Sequence, residues 1–184
     1  MIQIRYDNRF TWILHTEIKH IPSTKMRLTA IESMNIGTIC SRETIIAKTD
    51  DSLLDTARLM RKHHVGSLII VAPNRHGVRP VGIITDRDIV IQAISEEIDL
   101  NNLVAGDIMS SDLLIAREED DVFEAFERMC MKGVRRMPVV NAEGFLIGVL
   151  SVDDLLEVIV NEMKNLVQLF KHEQQKERQV HTRA

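Results

Sequence analysis

A segment in the middle of the chain returns near its end, and this repetition constrains the fold more than any other feature of the sequence. Residues 82–89 read Gly-Ile-Ile-Thr-Asp-Arg-Asp-Ile, and residues 148–155 read Gly-Val-Leu-Ser-Val-Asp-Asp-Leu. Both copies carry a glycine, two apolar residues, a hydroxyl residue, a carboxylate and an aliphatic residue at the same spacing. The offset from Gly82 to Gly148 is longer than a solenoid unit, so it predicts two similar small domains.

The match continues upstream at a slightly larger offset, where Met60 corresponds to Met129 and Val65 to Val134. The change of offset places extra residues of the first copy in the segment 73–80, which contains proline and glycine. Length differences concentrate in surface turns, because those positions bury little. The copies therefore extend well beyond the short motif.

The elements of each copy follow the order β-α-β-β-α. The predicted strands are 44–47, 67–71 and 81–84 in the first copy and 113–116, 137–140 and 145–150 in the second. Two predicted helices follow the capping residues 50–52 and 120–121. The other two begin at Asp86 and near Val152. The alternation of strands and helices indicates an α/β fold.

Four segments result from this pattern: an N-terminal extension at 1–33, a first repeat at 34–100, a second repeat at 101–165, and a helix end with a polar tail at 166–184. The extension lacks a sustained hydrophobic period, so we expect it to be poorly ordered, and Met26 and Met34 are alternative starts for the native product. The helix that begins near Val152 keeps an apolar stripe as far as Phe170, longer than the fold requires, which favours an intersubunit contact. We expect the polar residues after 171 to fray.

Composition excludes several classes of protein. The net charge of −4 and the pI near 6.0 provide no overall field that would recruit nucleic acid or an anionic membrane. No apolar run reaches the roughly 20 residues that span a bilayer, and the N-terminus lacks a secretory signal core. We therefore expect a cytoplasmic protein without a membrane or nucleic-acid partner.

Residues with catalytic or metal-binding potential form no known arrangement in this sequence. Cys40 and Cys130 have no metal spacing, and Cys130 follows an apolar helix stripe, so we expect a buried, inert thiol. His63 and His64 are adjacent, so their side chains point apart, and no third ligand is evident. Walker, dinucleotide-binding and nucleophile motifs are absent. We predict neither a metal site nor an enzyme.

The two copies together resemble tandem CBS domains, a pair known as a Bateman module. The resemblance is carried by the repeated motif, by Val-Arg-Arg-Met-Pro-Val-Val at 134–140 and by Asp-Ile-Met-Ser at 107–110, and it covers about residues 35–163. It implies two pseudo-symmetric repeats that pack through their sheets and form two clefts. Members often bind adenosine nucleotides there, and they commonly dimerise.

The resemblance also implies roles for the motif residues. The carboxylate accepts hydrogen bonds from ribose hydroxyls, and the hydroxyl residue contacts phosphate or ribose. The matching residues are Thr85 and Asp88 in one cleft and Ser151 and Asp154 in the other. A plain N-cap at the start of each following helix is the competing interpretation of the same residues.

An asymmetry between the copies favours one cleft. The second copy has Arg135 and Arg136 where the first has Gly66 and Ser67, and guanidinium groups suit phosphate oxygens. The resemblance implies that such basic residues reach a nucleotide held by the other repeat. We therefore predict a cleft of Thr85, Asp88, Arg135 and Arg136, with Arg87 as an accessory residue and with Ile45 and Ile46 beside the adenine.

The sequence thus predicts a free-standing, non-catalytic regulatory pair that binds AMP, ADP or ATP and signals to an unidentified protein. A cleft on Ser151 and Asp154 would be empty or prefer a ligand with less phosphate. The alternative is a scaffold with unoccupied clefts that acts by dimerisation alone.

Overall fold

A computed structural model describes the backbone of residues 2–7, 11–16 and 34–181 and the side chains of residues 34–176. Its first sheet has the strand order β1-β2-β3-β4-β5 and its second β6-β7-β8. The strands are β1 (Ile2–Asp7), β2 (Thr11–Thr16), β3 (Thr44–Lys48), β4 (Ser67–Asn74), β5 (Gly77–Thr85), β6 (Ala116–Arg117), β7 (Arg136–Val140) and β8 (Leu146–Ser151). The helices are α1 (Ile36–Ile39), α2 (Leu53–His63), α3 (Asp86–Ile89), α4 (Ala105–Ile108), α5 (Val122–Lys132) and α6 (Val152–His181).

The two long helices within the repeats begin at the predicted capping residues. The Ser52 hydroxyl accepts a hydrogen bond from the Asp55 N–H at 3.1 Å. The Asp121 carboxylate accepts from the Phe123 and Glu124 N–H groups at 2.8 and 3.1 Å. These bonds satisfy donors that the first helical turn leaves unpaired, which is why α2 and α5 start at equivalent places.

Strand β4 is buried on both faces, as its continuous apolar run predicts. One face packs on α2 and α3, and the other contributes Ile69 and Val71 to a cluster that also contains Ile46 of β3 and Leu146 of β8. That cluster joins the two sheets. The implied fold, two β-α-β-β-α repeats packed through their sheets, is confirmed.

The segments that lead into the two repeats are exchanged. Ser41 exchanges backbone hydrogen bonds of 3.0 and 2.9 Å with Val149 of the second repeat, and Ser110 does the same with Ile83 of the first. The α1 residue Ile36 lies in the core of the second repeat, and α4 lies in the core of the first. The sequence did not predict this exchange, since the pairs are distant in the chain.

Cys130 is exposed, so the expectation that it is buried is wrong. The buried stripe of α5 is Val122, Ala125 and Met129, whereas Phe123, Phe126 and Cys130 lie on a second apolar face that faces outward. The buried thiol is Cys40, which lies in the core of the second repeat.

Two segments are more regular than expected. Within the extension 1–33, β2 pairs antiparallel with β3; the apolar residues of 2–6 alternate with polar ones, a period typical of strands. The remaining residues of that extension lie outside the described ranges.

Helix α6 continues to His181, past the point where we expected the chain to fray, because glutamate, glutamine and lysine are good helix formers. Within the described residues no helix is long and apolar enough to cross a membrane.

Candidate functional site

The exchange of lead-in segments builds a cavity of about 160 Å³ between the repeats. The first repeat contributes its lead-in, β3 and β4, and the second contributes β7, β8 and the start of α6. The lining residues are Ser41, Glu43, Thr44, Ile45, Val65, Ser67, Ile69, Arg136, Val149, Ser151 and Asp154. This set defines the Ser151 pocket.

The motif residues of this pocket form a closed hydrogen-bonded pair. The Ser151 N–H and the Ser151 hydroxyl both donate to Asp154 Oδ2, at 2.7 and 2.6 Å, and the Asp154 N–H donates to the Ser151 hydroxyl at 3.2 Å. Thr85 and Asp88 repeat the arrangement at 2.8, 2.7 and 3.2 Å. Both motifs are therefore capping boxes, which confirms the N-cap interpretation without excluding a second role.

The cap determines what each group still offers a ligand. A carboxylate has about four acceptor positions, and no described residue donates to Asp154 Oδ1, so that oxygen can accept ribose hydroxyls. The hydroxyl proton of Ser151 is already donated to Asp154. Ser151 can therefore accept from a ribose hydroxyl, but it cannot donate to a phosphate oxygen while the cap is intact.

Arg136 is the register partner of Ser151 in the β7–β8 pair, which places it in the Ser151 pocket. It is half-buried, and it forms no ion pair or hydrogen bond with any other described side chain. A guanidinium in that situation is available to an anionic ligand. The structure thus brings Arg136 together with Ser151 and Asp154, the pairing that the sequence did not favour.

The other predicted site residues have different surroundings. Arg135 and Arg87 are exposed, and the Arg135 carbonyl accepts the Val152 N–H at 3.1 Å, so its backbone helps to start α6. Thr85 and Asp88 do not line the Ser151 pocket; they occupy the equivalent place in the first repeat. The predicted cleft on those two residues stays a prediction.

Of the two isoleucines expected beside the adenine, only Ile45 lines the Ser151 pocket. Ile46 is 2% exposed and belongs to the cluster between the sheets. Successive side chains of a strand point to opposite faces, so the two cannot share one pocket wall.

Sequence reasoning missed Thr44, which also lines the pocket. Its hydroxyl oxygen is buried and has no hydrogen-bond partner among the described residues. An unpaired buried hydroxyl costs about 1–3 kcal/mol, which a polar ligand atom could offset. A threonine at the start of a short strand carries no distinctive sequence signal.

Burial also affects two titratable groups. It raises the pKa of the Cys40 thiol, and nearby Arg42 opposes the shift only in part. It lowers the pKa of His63, whose Nε2 is buried without a partner in the described part of the chain. In that same part no three His, Cys, Asp or Glu side chains converge as a metal site would require; the absence of a metal stays an expectation.

Known proteins resemble this chain over the two repeats. The model of the CBS domain family matches residues 36–93 and 105–161. A protein of Methanopyrus kandleri is 35% identical over 70% of this chain and 64% of its own length, so this chain spans less than two thirds of that relative. Hypoxic response protein 1 of Mycobacterium tuberculosis is 31% identical over 69% of this chain and 82% of its own length.

One solved structure of a similar protein contains bound ligands. The CBS domain pair of protein MJ0100, solved in complex with 5′-methylthioadenosine and S-adenosyl-L-methionine, is 25% identical. The alignment covers 71% of this chain and 98% of that one, with a TM-score of 0.60.

Proposed function

Because the chain belongs to the CBS domain family as a tandem pair, we propose that it is a non-catalytic regulatory module that binds an adenosine nucleotide between its repeats. The observation that supports this proposal is the Ser151 pocket. It combines a carboxylate, Asp154, with a guanidinium, Arg136, and among the described residues neither Asp154 Oδ1 nor the guanidinium has a partner. A ribose and a phosphate are the two chemical groups that such a pair recognises.

Of AMP, ADP and ATP, we propose AMP as the ligand of the Ser151 pocket. Among the described lining residues Arg136 alone carries a positive charge, whereas Glu43 and Asp154 carry negative ones. ADP and ATP add phosphate charge that no further lining guanidinium would neutralise. The adenosine compounds bound by the MJ0100 pair support the nucleoside part of the proposal.

Regulation requires that the occupied pocket change a contact elsewhere. The pocket is shared between repeats, so a ligand that binds one relative pose better than another shifts the equilibrium between them. We propose that the change is transmitted to a partner protein, and the cytoplasm remains the compartment that the sequence predicts.

Helix α6 supports self-association as part of this function. Its outer half presents exposed apolar side chains that no other described element covers: Ile159, Val160, Met163, Leu166, Val167, Leu169 and Phe170. A second copy of the chain would bury this face, and we propose a homodimer.

The same helix supports the second candidate function, a scaffold that acts by dimerisation with its clefts unoccupied. Capping alone would account for Asp88 and Asp154, since each carboxylate already closes a helix start. The two candidates differ in whether any nucleotide stabilises the fold.

A thermal-shift panel of AMP, ADP, ATP, NADH and S-adenosylmethionine tests the proposal, with wild type beside Asp154→Ala and Asp88→Ala. A ligand at one hundred times its Kd adds about 2.7 kcal/mol, which is on the order of 5–10 °C in Tm for a chain of this size. A shift with AMP that Asp154→Ala reduces, and that Asp154→Ala combined with Asp88→Ala abolishes, supports the nucleotide-binding module. No shift with any of the five ligands would leave the scaffold as the function.

A further inference from the structure

Ser67 and Arg136 occupy equivalent positions in the two repeats. Ser67 is the register partner of Thr85 in the first sheet, and Arg136 is the register partner of Ser151 in the second. Each therefore stands beside the motif hydroxyl of its own repeat. Both of them also line the Ser151 pocket.

The presence of Ser67 in that pocket shows that this position reaches across the boundary between the repeats. It belongs to the first repeat, yet it lines the pocket built on the second repeat's motif. The exchanged lead-in segments make the same crossing on both sides, Ser41 with Val149 and Ser110 with Ile83. Arg136 lies in the Ser151 pocket, and from the pseudo-two-fold relation we infer that it also reaches the edge of the first repeat's motif, Thr85 and Asp88.

The two positions differ in charge, which breaks the symmetry. Arg136 carries a guanidinium, and Ser67 carries a neutral hydroxyl that cannot replace it as a phosphate partner. The neighbouring arginines, Arg87 and Arg135, are exposed and do not line the pocket. In the Ser151 pocket Arg136 is thus the lining guanidinium that a phosphate can use, and by the pseudo-two-fold relation the same side chain would face the cleft on Thr85.

We propose that Arg136 serves both clefts in turn, so that a phosphate-bearing ligand held in one cleft lowers the affinity of the other cleft for a second such ligand. This inference rests on the proposed function, because it requires that adenosine nucleotides bind. It adds that the chain holds one nucleotide tightly, and that the second cleft is left for a ligand without phosphate.

Calorimetric titration of the full chain with AMP and with adenosine tests the sharing. Asp88→Ala leaves only the Ser151 pocket competent, and Asp154→Ala leaves only the cleft on Thr85. In each background we expect the additional substitution Arg136→Ser to lower the preference for AMP over adenosine about tenfold or more, since a hydrogen bond to a charged group is lost. Arg75→Ser, in the exposed turn between β4 and β5, is the charge-matched control.

Coupling is then measured in the unaltered pair of clefts. Wild type should bind a second AMP at least tenfold more weakly than the single-cleft affinities require, and adenosine should show no such deficit. Ser67→Arg supplies a second guanidinium and should remove the deficit.

The outcomes separate the two proposals. If Arg136→Ser changes the AMP preference in only one background, or if two AMP molecules bind independently to wild type, the sharing is overturned and the proposed function stands. If neither AMP nor adenosine binds any variant or the wild type, the proposed function fails as well.

Discussion

Asp154 has two roles that use different oxygen atoms. Its Oδ2 closes the capping box of α6 with the Ser151 N–H and hydroxyl at 2.7 and 2.6 Å. Its Oδ1 receives no hydrogen bond from the described residues, and Asp154 lines the Ser151 pocket. A carboxylate is the side chain that can hold a helix start and accept ribose hydroxyls at once, so stability and binding are separable by substitution.

Ser151→Ala and Asp154→Ala should have the same effect on stability and different effects on binding. Each removes one side of the capping box, which lowers the free energy of unfolding by about 1 kcal/mol. Only Asp154→Ala also removes the charged ribose acceptor. In an Asp88→Ala background, which leaves the Ser151 pocket as the competent cleft, AMP binding is therefore lost in Asp154→Ala and retained in Ser151→Ala. Urea unfolding and AMP titration of both variants check this. Equal losses of AMP affinity would show that the cap itself, and not the second oxygen, is what the ligand requires.

The two thiols should differ strongly in reactivity. Cys130 is exposed, whereas Cys40 is buried and its pKa is raised above the ordinary thiol value of 9.0. The thiolate is the reactive form. We therefore expect a chromogenic thiol reagent to modify Cys130 rapidly, and to modify Cys40 only when the protein unfolds, even at pH 9. Cys130→Ser should remove the rapid phase. A rapid phase that survives in that variant would contradict the buried position of Cys40.

At the scale of elements, α6 has a surface that follows a heptad pattern. Leu156, Ile159, Met163, Leu166 and Phe170 alternate at spacings of three and four residues, and all are exposed. That spacing is typical of a helix that packs lengthwise on another helix. The first turns of α6 are held to the second repeat through Leu155. A partner helix packed along α6 would therefore have a fixed orientation relative to the Ser151 pocket, because Asp154 in the first turn of α6 lines that pocket.

A charge in this pattern should dissociate the homodimer. Met163→Glu and Leu166→Glu each place a carboxylate where the proposed partner packs, and a buried unpaired charge is strongly unfavourable. Sedimentation equilibrium should report a dimer for wild type and a monomer for either variant. Asn165→Glu adds the same charge at an exposed polar position and should leave the dimer intact. A monomeric wild type would remove the role assigned to α6.

At the scale of the whole molecule, the exchanged lead-ins depend on two glycines. A methyl group added at Gly148 would lie 2.6 Å from the Ser41 carbonyl oxygen and 3.1 Å from Cys40 Sγ. At the equivalent Gly82 the obstacle is the flexible side chain of Met109. Both motif positions therefore favour glycine, because the other repeat's lead-in crosses directly over them.

Gly148→Ala should destabilise the molecule more than Gly82→Ala. A backbone oxygen cannot move without shifting the whole lead-in, and such overpacking costs about 1–3 kcal/mol, whereas a methionine side chain can adopt another rotamer. Urea unfolding of the two variants gives the comparison. Equal destabilisation would mean that the Met109 side chain is as confined as the Ser41 backbone.

Local features of the molecule could be predicted from the sequence, and contacts between the repeats could not. Ser52 and Asp121 were identifiable as caps because a cap depends on neighbours within three residues. Arg136 could not be assigned to a pocket, and Thr44 could not be found, because both depend on which lead-in segment crosses which repeat. The family resemblance implied two clefts, but it did not contain the register that places Arg136 beside Ser151.

The crossing of the lead-ins also determines the order in which the repeats can fold during synthesis on the ribosome. Residues 36–41 are made well before β8, the strand that receives Ser41 and ends at Ser151. The first repeat must likewise wait for Ala105 and Ile108 before its own core is filled. A nascent chain that stops between the repeats thus exposes the unfilled apolar core of the first repeat and the unpaired apolar face of α1. Both repeats complete their folding only after Ser151 has emerged.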